Sequence, residues 1–259
     1  MKVEEISSLV KSWLIEAGTR VQNSIHHPLV IETKTSRTDL VTNVDRKVEQ
    51  FLVEKIKAYF PSDQVIGEEG FGDNVMSAKG NIWVIDPIDG TLNFVKQQEN
   101  FCIMLAYYQD GVGKLGFIYD VMKNSLYWGG AEIGVFCNDQ ALPKIKNQSL
   151  EDGLVGMNSY MFQTNQQNGQ EIIRQSSGVR MLGCAGIEFI QILLGKQVAY
   201  LSSIAPWDYA AGSVLVCTLG GIVSNLDGTP LNILNTKRVP VVCATKRAHE
   251  QIIEYANKV

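Results

Sequence analysis

Two aspartates, Asp86 and Asp89, stand three residues apart in the segment WVIDPIDGTLNF (83–94). The apolar run IWVI (82–85) precedes them, so the chain carries two carboxylates on a β-branched strand bound for the interior. Burying one unpaired carboxylate is costly, and a second beside it adds like-charge repulsion. A cation is the natural compensation. The strand is expected to end at Asp86, and Asp89, Gly90 and Thr91 to open a helix. Glycine permits close backbone approach, and first-turn N–H groups are unpaired donors that attract phosphate. Acids and phosphate-seeking amides side by side repel one another's ligands unless divalent ions lie between. Mg²⁺, a hard cation, takes oxygen ligands from carboxylates and phosphate together.

Two more blocks carry acids of the same kind. VIGEEG (65–70) is an apolar strand ending in Glu68 and Glu69, with flanking glycines that suggest a tight loop. APWDYAAGS (205–213) places Asp208 in the first turn of an apolar helix. Each block taken singly is also open to a plain structural account. Asp89 could cap a helix, Asp86 and the glutamates could sit in turns, and Asp208 could complement a helix dipole.

The elements that must position these acids follow from periodicity. Val3, Ile6, Leu9, Val10, Trp13, Leu14, Ala17 and Val21 recur at helical spacing. A polar loop or short hairpin, ETKTSRTD, follows. Val44 to Tyr59 repeats the helical pattern, with Thr42 as N-cap, Asp45 three residues later and Pro61 as stop. From about 82 to 137, short runs rich in β-branched and aromatic residues predict an antiparallel sheet. Beyond 150, strands (GLVGMN, QVAYLS, IVSNLD, VPVVCAT) alternate with helices (NQQNGQEIIRQSS, AGIEFIQILLG, WDYAAGSVLVCTLGG and the last ten residues). That alternation predicts an α/β half. A polar stretch near 145–152 marks the expected boundary, giving an α+β unit at 1–148 with most of the acids and an α/β unit at 149–259 with Asp208.

The 259 residues are ample for a large core, and 45% apolar against 19% charged residues indicates a globular chain. The net charge of −4 offers no basic footprint, so nucleic-acid binding is not expected, and an anionic substrate needs a local positive charge. No apolar run approaches ~18 residues, so no membrane span is expected. The N-terminus has two early acids and does not read as a signal peptide. The five cysteines (102, 137, 184, 217, 243) are odd in number and lack C-x-x-C spacing. They fit a reducing cytoplasm and neither a disulfide framework nor a zinc site. Cys184 reads as a small buried residue, His26, His27 and His249 as surface residues, and the four tryptophans as core or site wall.

D-P-x-D-G-T, with G-E-E upstream and W-D-x-A-G downstream, resembles the inositol monophosphatase family of Mg²⁺-dependent, lithium-sensitive phosphatases. The resemblance spans nearly the whole chain, from DLVTNVD to the closing strands. It implies a layered αβαβα sandwich, a homodimer, and two to three Mg²⁺ ions with Mn²⁺ as a substitute. It assigns Glu68, Asp86 and the Ile88 carbonyl to one metal, and Asp86, Asp89 and Asp208 to a second, with Glu68 helping to hold a weaker third. Gly90 and Thr91 match the phosphate-binding positions, and Asp45 with Thr91 would orient the attacking water. Lys34 falls where the family has a lysine near the site. RMLGCAG (180–186), with Gly183, Cys184 and Ala185, matches a substrate-contacting region to which Asp208 also belongs.

The implied reaction is hydrolysis of a small phosphate monoester by metal-activated water, attacking from the Glu68 side, with no phospho-enzyme. Inositol-binding members carry an acid a few residues before W-D, where this chain has Leu201. Losing a hydroxyl-binding group relaxes selectivity. NADP(H) and fructose 1,6-bisphosphate are therefore alternative substrates. A non-catalytic cation or phosphate sensor on the same scaffold, and a structural protein whose acids are all caps, are the readings from other classes.

Overall fold

A computed structural model describes residues 1–257. The chain opens with helix α1 (Val3–Ser24), the hairpin β1 (Ile31–Thr33) and β2 (Leu40–Thr42), and helix α2 (Asn43–Tyr59). Ile6, Val10, Trp13, Leu14, Ala17 and Val21 bury one stripe of α1. Thr42 caps α2: its hydroxyl accepts from the Val44 N–H at 3.1 Å, and Asp45 returns a bond to the Thr42 N–H at 3.0 Å. Strands β3 (Gln64–Gly67) and β4 (Asn81–Asp89), helix α3 (Thr91–Gln97), and strands β5 (Cys102–Gln109), β6 (Val112–Asp120), β7 (Ser125–Gly130), β8 (Gly134–Cys137) and β9 (Gln140–Ala141) follow.

These seven strands form one sheet in sequence order. It is antiparallel except at its edge, where β3 runs parallel to β4. The strands expected to be antiparallel over 82–137 are so, and β3 joins them in parallel because the 68–80 segment is long enough to cross back before β4 begins. Strand alternation divides the sheet's two faces. Trp83, Ile85, Ile103 and Leu105 pack with α1 and α2. Ile82, Val84, Met104 and Ala106 face the other way.

The second half contains β10 (Leu154–Met157), α4 (Ser159–Gln163), α5 (Gly169–Arg174), β11 (Gly178–Arg180), α6 (Ala185–Leu193), β12 (Ala199–Ile204), α7 (Pro206–Thr218), β13 (Ile222–Asn225), β14 (Val239–Ala244) and α8 (Lys246–Ala256). Its five-stranded sheet has the order β11-β10-β12-β14-β13, with β11, β10 and β12 parallel. Helices α6 and α7 lie between the two sheets in a core shared by both, touching Val84 and Met104 on one side and Tyr200 and Cys243 on the other. On the outer face of the second sheet, Val155, Leu201 and Val242 pack with Ile172 of α5 and Ile252 of α8. The result is five layers, helix–sheet–helix–sheet–helix.

Two expectations change. The single helix expected over NQQNGQEIIRQSS is broken into a 3-10 turn at 166–168 and α5, because Asn165, Gln167 and Asn168 take left-handed φ values of 50, 51 and 56°. His249, expected on the surface, is buried, with Nε2 2.8 Å from the Ser224 hydroxyl.

Candidate metal centre

The register of β4 against β5 explains how two aspartates three residues apart reach one face. Asp86 pairs with Met104 and Asp89 with Cys102, so three steps on β4 match two on β5. The extra residue is a bulge at Pro87, which has no N–H to give the ladder. In a regular strand residues 86 and 89 would point to opposite faces. Here the strand runs on to Asp89 rather than ending at Asp86, and both carboxylates turn toward α6 and α7. Asp208 enters from the first turn of α7, where Pro206 starts the helix and the Ala205 N–H donates to Asp208 Oδ2 at 2.8 Å.

One carboxylate oxygen from each of Asp86, Asp89 and Asp208 lies within 4.8 Å of the other two, and all three residues are buried. Burial raises the Asp86 pKa well above the carboxylate range, and the charges of Glu68, Asp89 and Asp208 raise it further. Burial pushes Asp208 up to about 7, against the opposing pull of Arg238. Asp89 is also raised by burial, although the Gly186 N–H and the Cys184 thiol hold its charged form. Asp86 Oδ1 is buried with no hydrogen-bond partner. An all-oxygen donor set that includes an aspartate with an orphaned carboxylate oxygen fits a hard divalent cation.

Glu68 joins this cluster from the loop after β3 and lines the same cleft. The loop is held by Glu49, fully buried on α2, whose carboxylate accepts the N–H groups of Glu69 at 2.7 Å and Phe71 at 2.9 Å. Gly67 makes room for it: a Cβ there would lie 2.4 Å from Glu49 Oε1. Lys34 donates to Glu68 at 2.8 Å and to Glu69 at 2.5 Å. Burial alone would lower the Lys34 pKa, but the two glutamates outweigh it and raise the value. Lys34 is thus an inward cation, not a solvated loop residue.

Gly90 links β4 to α3 with φ +85°, and a Cβ there would meet the Cys184 Cβ at 2.9 Å. The next residue, Thr91, places its hydroxyl 2.9 Å from Asp45 Oδ1 and 3.0 Å from the Ile88 carbonyl. Gly90, Thr91 and Ile88 line the cleft. Asp45 does not; it is buried behind Thr91, with its other oxygen held by Thr42. Burial is the largest influence on Asp45 and raises its pKa.

Gly183, Cys184 and Ala185 form a further wall of the cleft. Asn93 of α3 fixes that wall by donating to the carbonyls of Leu182 at 2.8 Å and Asn100 at 2.9 Å. The Cys184 thiol is turned onto Asp89 Oδ2 at 3.1 Å. Leu201 faces the outer core of the second sheet, and the β12 residues that line the cleft are Tyr200, Ser202 and Ile204. The acid on this wall is Glu188, raised to about 7 by burial, with Oε1 accepting the Leu182 N–H at 2.9 Å. Arg238, half-exposed on the rim, reaches Asp208 Oδ2 at 3.4 Å. It supplies a local positive charge that the overall composition hides. The loop residues Lys237 and Arg238 sit in no motif, so nothing in the linear pattern marked them.

The cleft encloses about 540 Å³, ample for a small phosphorylated ligand. A second hollow, about 440 Å³ between α1 and α2, has no carboxylate in its lining.

Residues 2–259 match the model of the inositol monophosphatase family. The inositol-1-monophosphatase of Bacillus subtilis (strain 168) is 37% identical over 255 residues, covering 96% of each chain. The fructose-1,6-bisphosphatase/inositol-1-monophosphatase of Thermotoga maritima is 30% identical over 230 residues, covering 88% of this chain and 87% of its own. Among solved structures, an IMPase/NADP phosphatase complexed with Mg²⁺ and phosphate superposes with a TM-score of 0.91 at 30% identity, covering 100% of this chain and 97% of that one.

Proposed function

The chain belongs to the inositol monophosphatase family, and from that premise we propose that it hydrolyses inositol monophosphate and related small phosphate esters with Mg²⁺. The observation that carries this reading is the convergence of Asp86, Asp89 and Asp208 within 4.8 Å, with Asp86 Oδ1 buried and unpartnered. Glu68, Asp86 and the Ile88 carbonyl would hold one ion, and Asp86, Asp89 and Asp208 a second, with Glu68 contributing to a weaker third. Bound there, such ions supply an acidified water and charge neutralisation on the attacking and leaving oxygens.

The chain's own groups do the positioning. Thr91 Oγ1 has a lone pair free for the attacking water while it donates its proton to Asp45 Oδ1. Burial raises the Asp45 pKa, which strengthens it as the acceptor of that hydrogen bond. The N–H groups of Gly90 and Thr91 would orient the phosphate. Arg238 faces the cleft from the Asp208 side, where it favours an anionic ester.

A broader substrate range has its own support. The β12 side of the cleft, Tyr200, Ser202 and Ile204, carries no acid for ring hydroxyls, Glu188 of α6 being the acid beside it, and relatives include an enzyme named for both inositol monophosphate and NADP. We therefore assign NADP(H) and fructose 1,6-bisphosphate as secondary substrates. The deciding experiment is a phosphate-release screen with and without Mg²⁺ on inositol 1-phosphate, NADP, fructose 1,6-bisphosphate and 3′-phosphoadenosine 5′-phosphate. No release from any of them would leave the sensor reading standing. Mn²⁺ in place of Mg²⁺ and added Li⁺ extend the screen; a lithium-soaked inhibitory complex of a staphylococcal relative supports expecting inhibition. The homodimer is tested by sedimentation.

A further inference from the structure

Directly behind the acid cluster lies a group of different chemistry. Cys102 on β5 and Cys184 at the start of α6 are 82 residues apart, yet their sulfurs lie 3.7 Å from each other. Asp89 Oδ2 is 3.7 Å from the Cys102 sulfur and 3.1 Å from the Cys184 sulfur. A tetrahedral zinc-type ion with bonds of about 2.3 Å to sulfur and about 2.0–2.2 Å to carboxylate oxygen needs donor–donor edges of roughly 3.5–3.8 Å. Two of the three edges already have that length, and the third needs to open by a few tenths of an ångström. Gly186 makes the approach sterically open: a Cβ there would lie 2.3 Å from the Cys102 sulfur and 2.9 Å from the Met104 sulfur. Asp89 Oδ2 also accepts the Gly186 N–H, which leaves a lone pair, now taken by the Cys184 S–H, for a metal.

We propose that Asp89, Cys102 and Cys184 form a binding site for a thiophilic divalent cation of the Zn²⁺ type, distinct in chemistry from the oxygen cluster it adjoins. Thiolate ligands select such ions, while Mg²⁺ prefers oxygen alone. On binding, two S–H bonds break, two metal–sulfur bonds form and two protons pass to solvent; no electron is transferred. Water from the cleft, which Asp89 and Cys184 both line, takes the fourth position. Because Asp89 belongs to both clusters, occupancy of the soft site draws it away from the oxygen cluster and inhibits turnover.

Cd²⁺ is the probe, because its sulfur-to-metal charge-transfer absorption counts thiolates. The freshly reduced protein, with Mg²⁺ in large excess, should show that band rising to saturation at one equivalent of Cd²⁺, and Zn²⁺ in large excess should diminish it. Cys102→Ser and Cys184→Ser should each weaken Cd²⁺ binding at least tenfold, while Cys217→Ser, at an exposed cysteine, should leave it unchanged. A band that survives in the double Cys102→Ser/Cys184→Ser protein overturns the proposal. Independently of any variant's folding, so does a ¹¹³Cd resonance of the wild-type protein at the position of an all-oxygen site. Neither readout needs turnover, so failure here leaves the phosphatase reading intact.

Discussion

Asp86 places a carboxylate oxygen with no hydrogen-bond partner among three other acids. Such a group destabilises the metal-free fold and rewards a cation, so one substitution should act with opposite signs on stability and activity. In Asp86→Asn, phosphate release should fall at least about 100-fold, beyond the 10–100-fold range for residues that only support a metal ligand. With chelator present, the same variant should melt higher than wild type, because a neutral amide ends the burial and like-charge cost that holds Asp86 from ionising, a gain of about 1–3 kcal/mol. Calorimetry with EDTA and with Mg²⁺ tests both halves, and a variant that melts lower under chelation would show that Asp86 is not held at a cost. Arg238 lies on the rim, outside the acid cluster, and should act on capture of the ester. Arg238→Ala should raise KM several-fold and leave kcat within about twofold, the pattern of lost uniform binding. A kcat loss as large as the KM change would place Arg238 in the chemistry instead. These two residues also mark the limits of reading the linear chain. Asp86 stood out because a strand that ends in paired acids has few structural reasons to exist. Arg238 stood in no pattern, since the loop that aims it is defined only once β14 is placed beside β12.

At the scale of elements, strand alternation was readable because both faces of the large sheet are buried against different helices. The bulge was not: nothing in DPID states that Asp86 and Asp89 share a face until their partners, Met104 and Cys102, are known. The same limit applies to the loop carrying Glu68. Its sequence suggested a tight turn, but what shapes it is Glu49, an α2 residue that periodicity alone would leave anonymous. Glu49 receives two loop N–H groups while buried, and burial raises its pKa. Glu49→Ala should therefore leave two loop N–H donors without their acceptor and let the loop drift. Activity should drop about 10–100-fold, as for outer-shell partners of metal ligands, with a weaker apparent Mg²⁺ affinity that higher Mg²⁺ partly restores. Glu49→Gln, which keeps an acceptor oxygen, should fall between. A Glu49→Ala protein with unchanged Mg²⁺ dependence would separate the loop's anchor from the metal site.

Across the whole molecule, the site lies where the two sheets meet the helices between them, so folding must assemble carboxylates from the first sheet and from α6 and α7 at one point. That assembly has a proton signature. Burial pushes Asp208, Glu69 and Glu188 up to about 7 from ordinary values near 4. A carboxyl whose pKa is raised by folding binds more protons in the folded state than in the unfolded one between those values. Without metal, stability should therefore fall as pH rises from about 4 to about 7 and stay low above that; below about 4 both states are protonated and the difference vanishes. The raised Lys34 pKa does not alter this window, because its pairing energy is fully present below the unfolded lysine value near 10.5. Mg²⁺ held by the ionised acids of the folded chain, as proposed, would add stability that grows with pH over the same interval. Melting curves from pH 5 to pH 8 should slope downward in EDTA and be flat or rise in saturating Mg²⁺. Parallel curves in the two buffers would mean that the acids are not brought together by folding in the way the cleft requires, and the phosphatase reading would lose its physical footing.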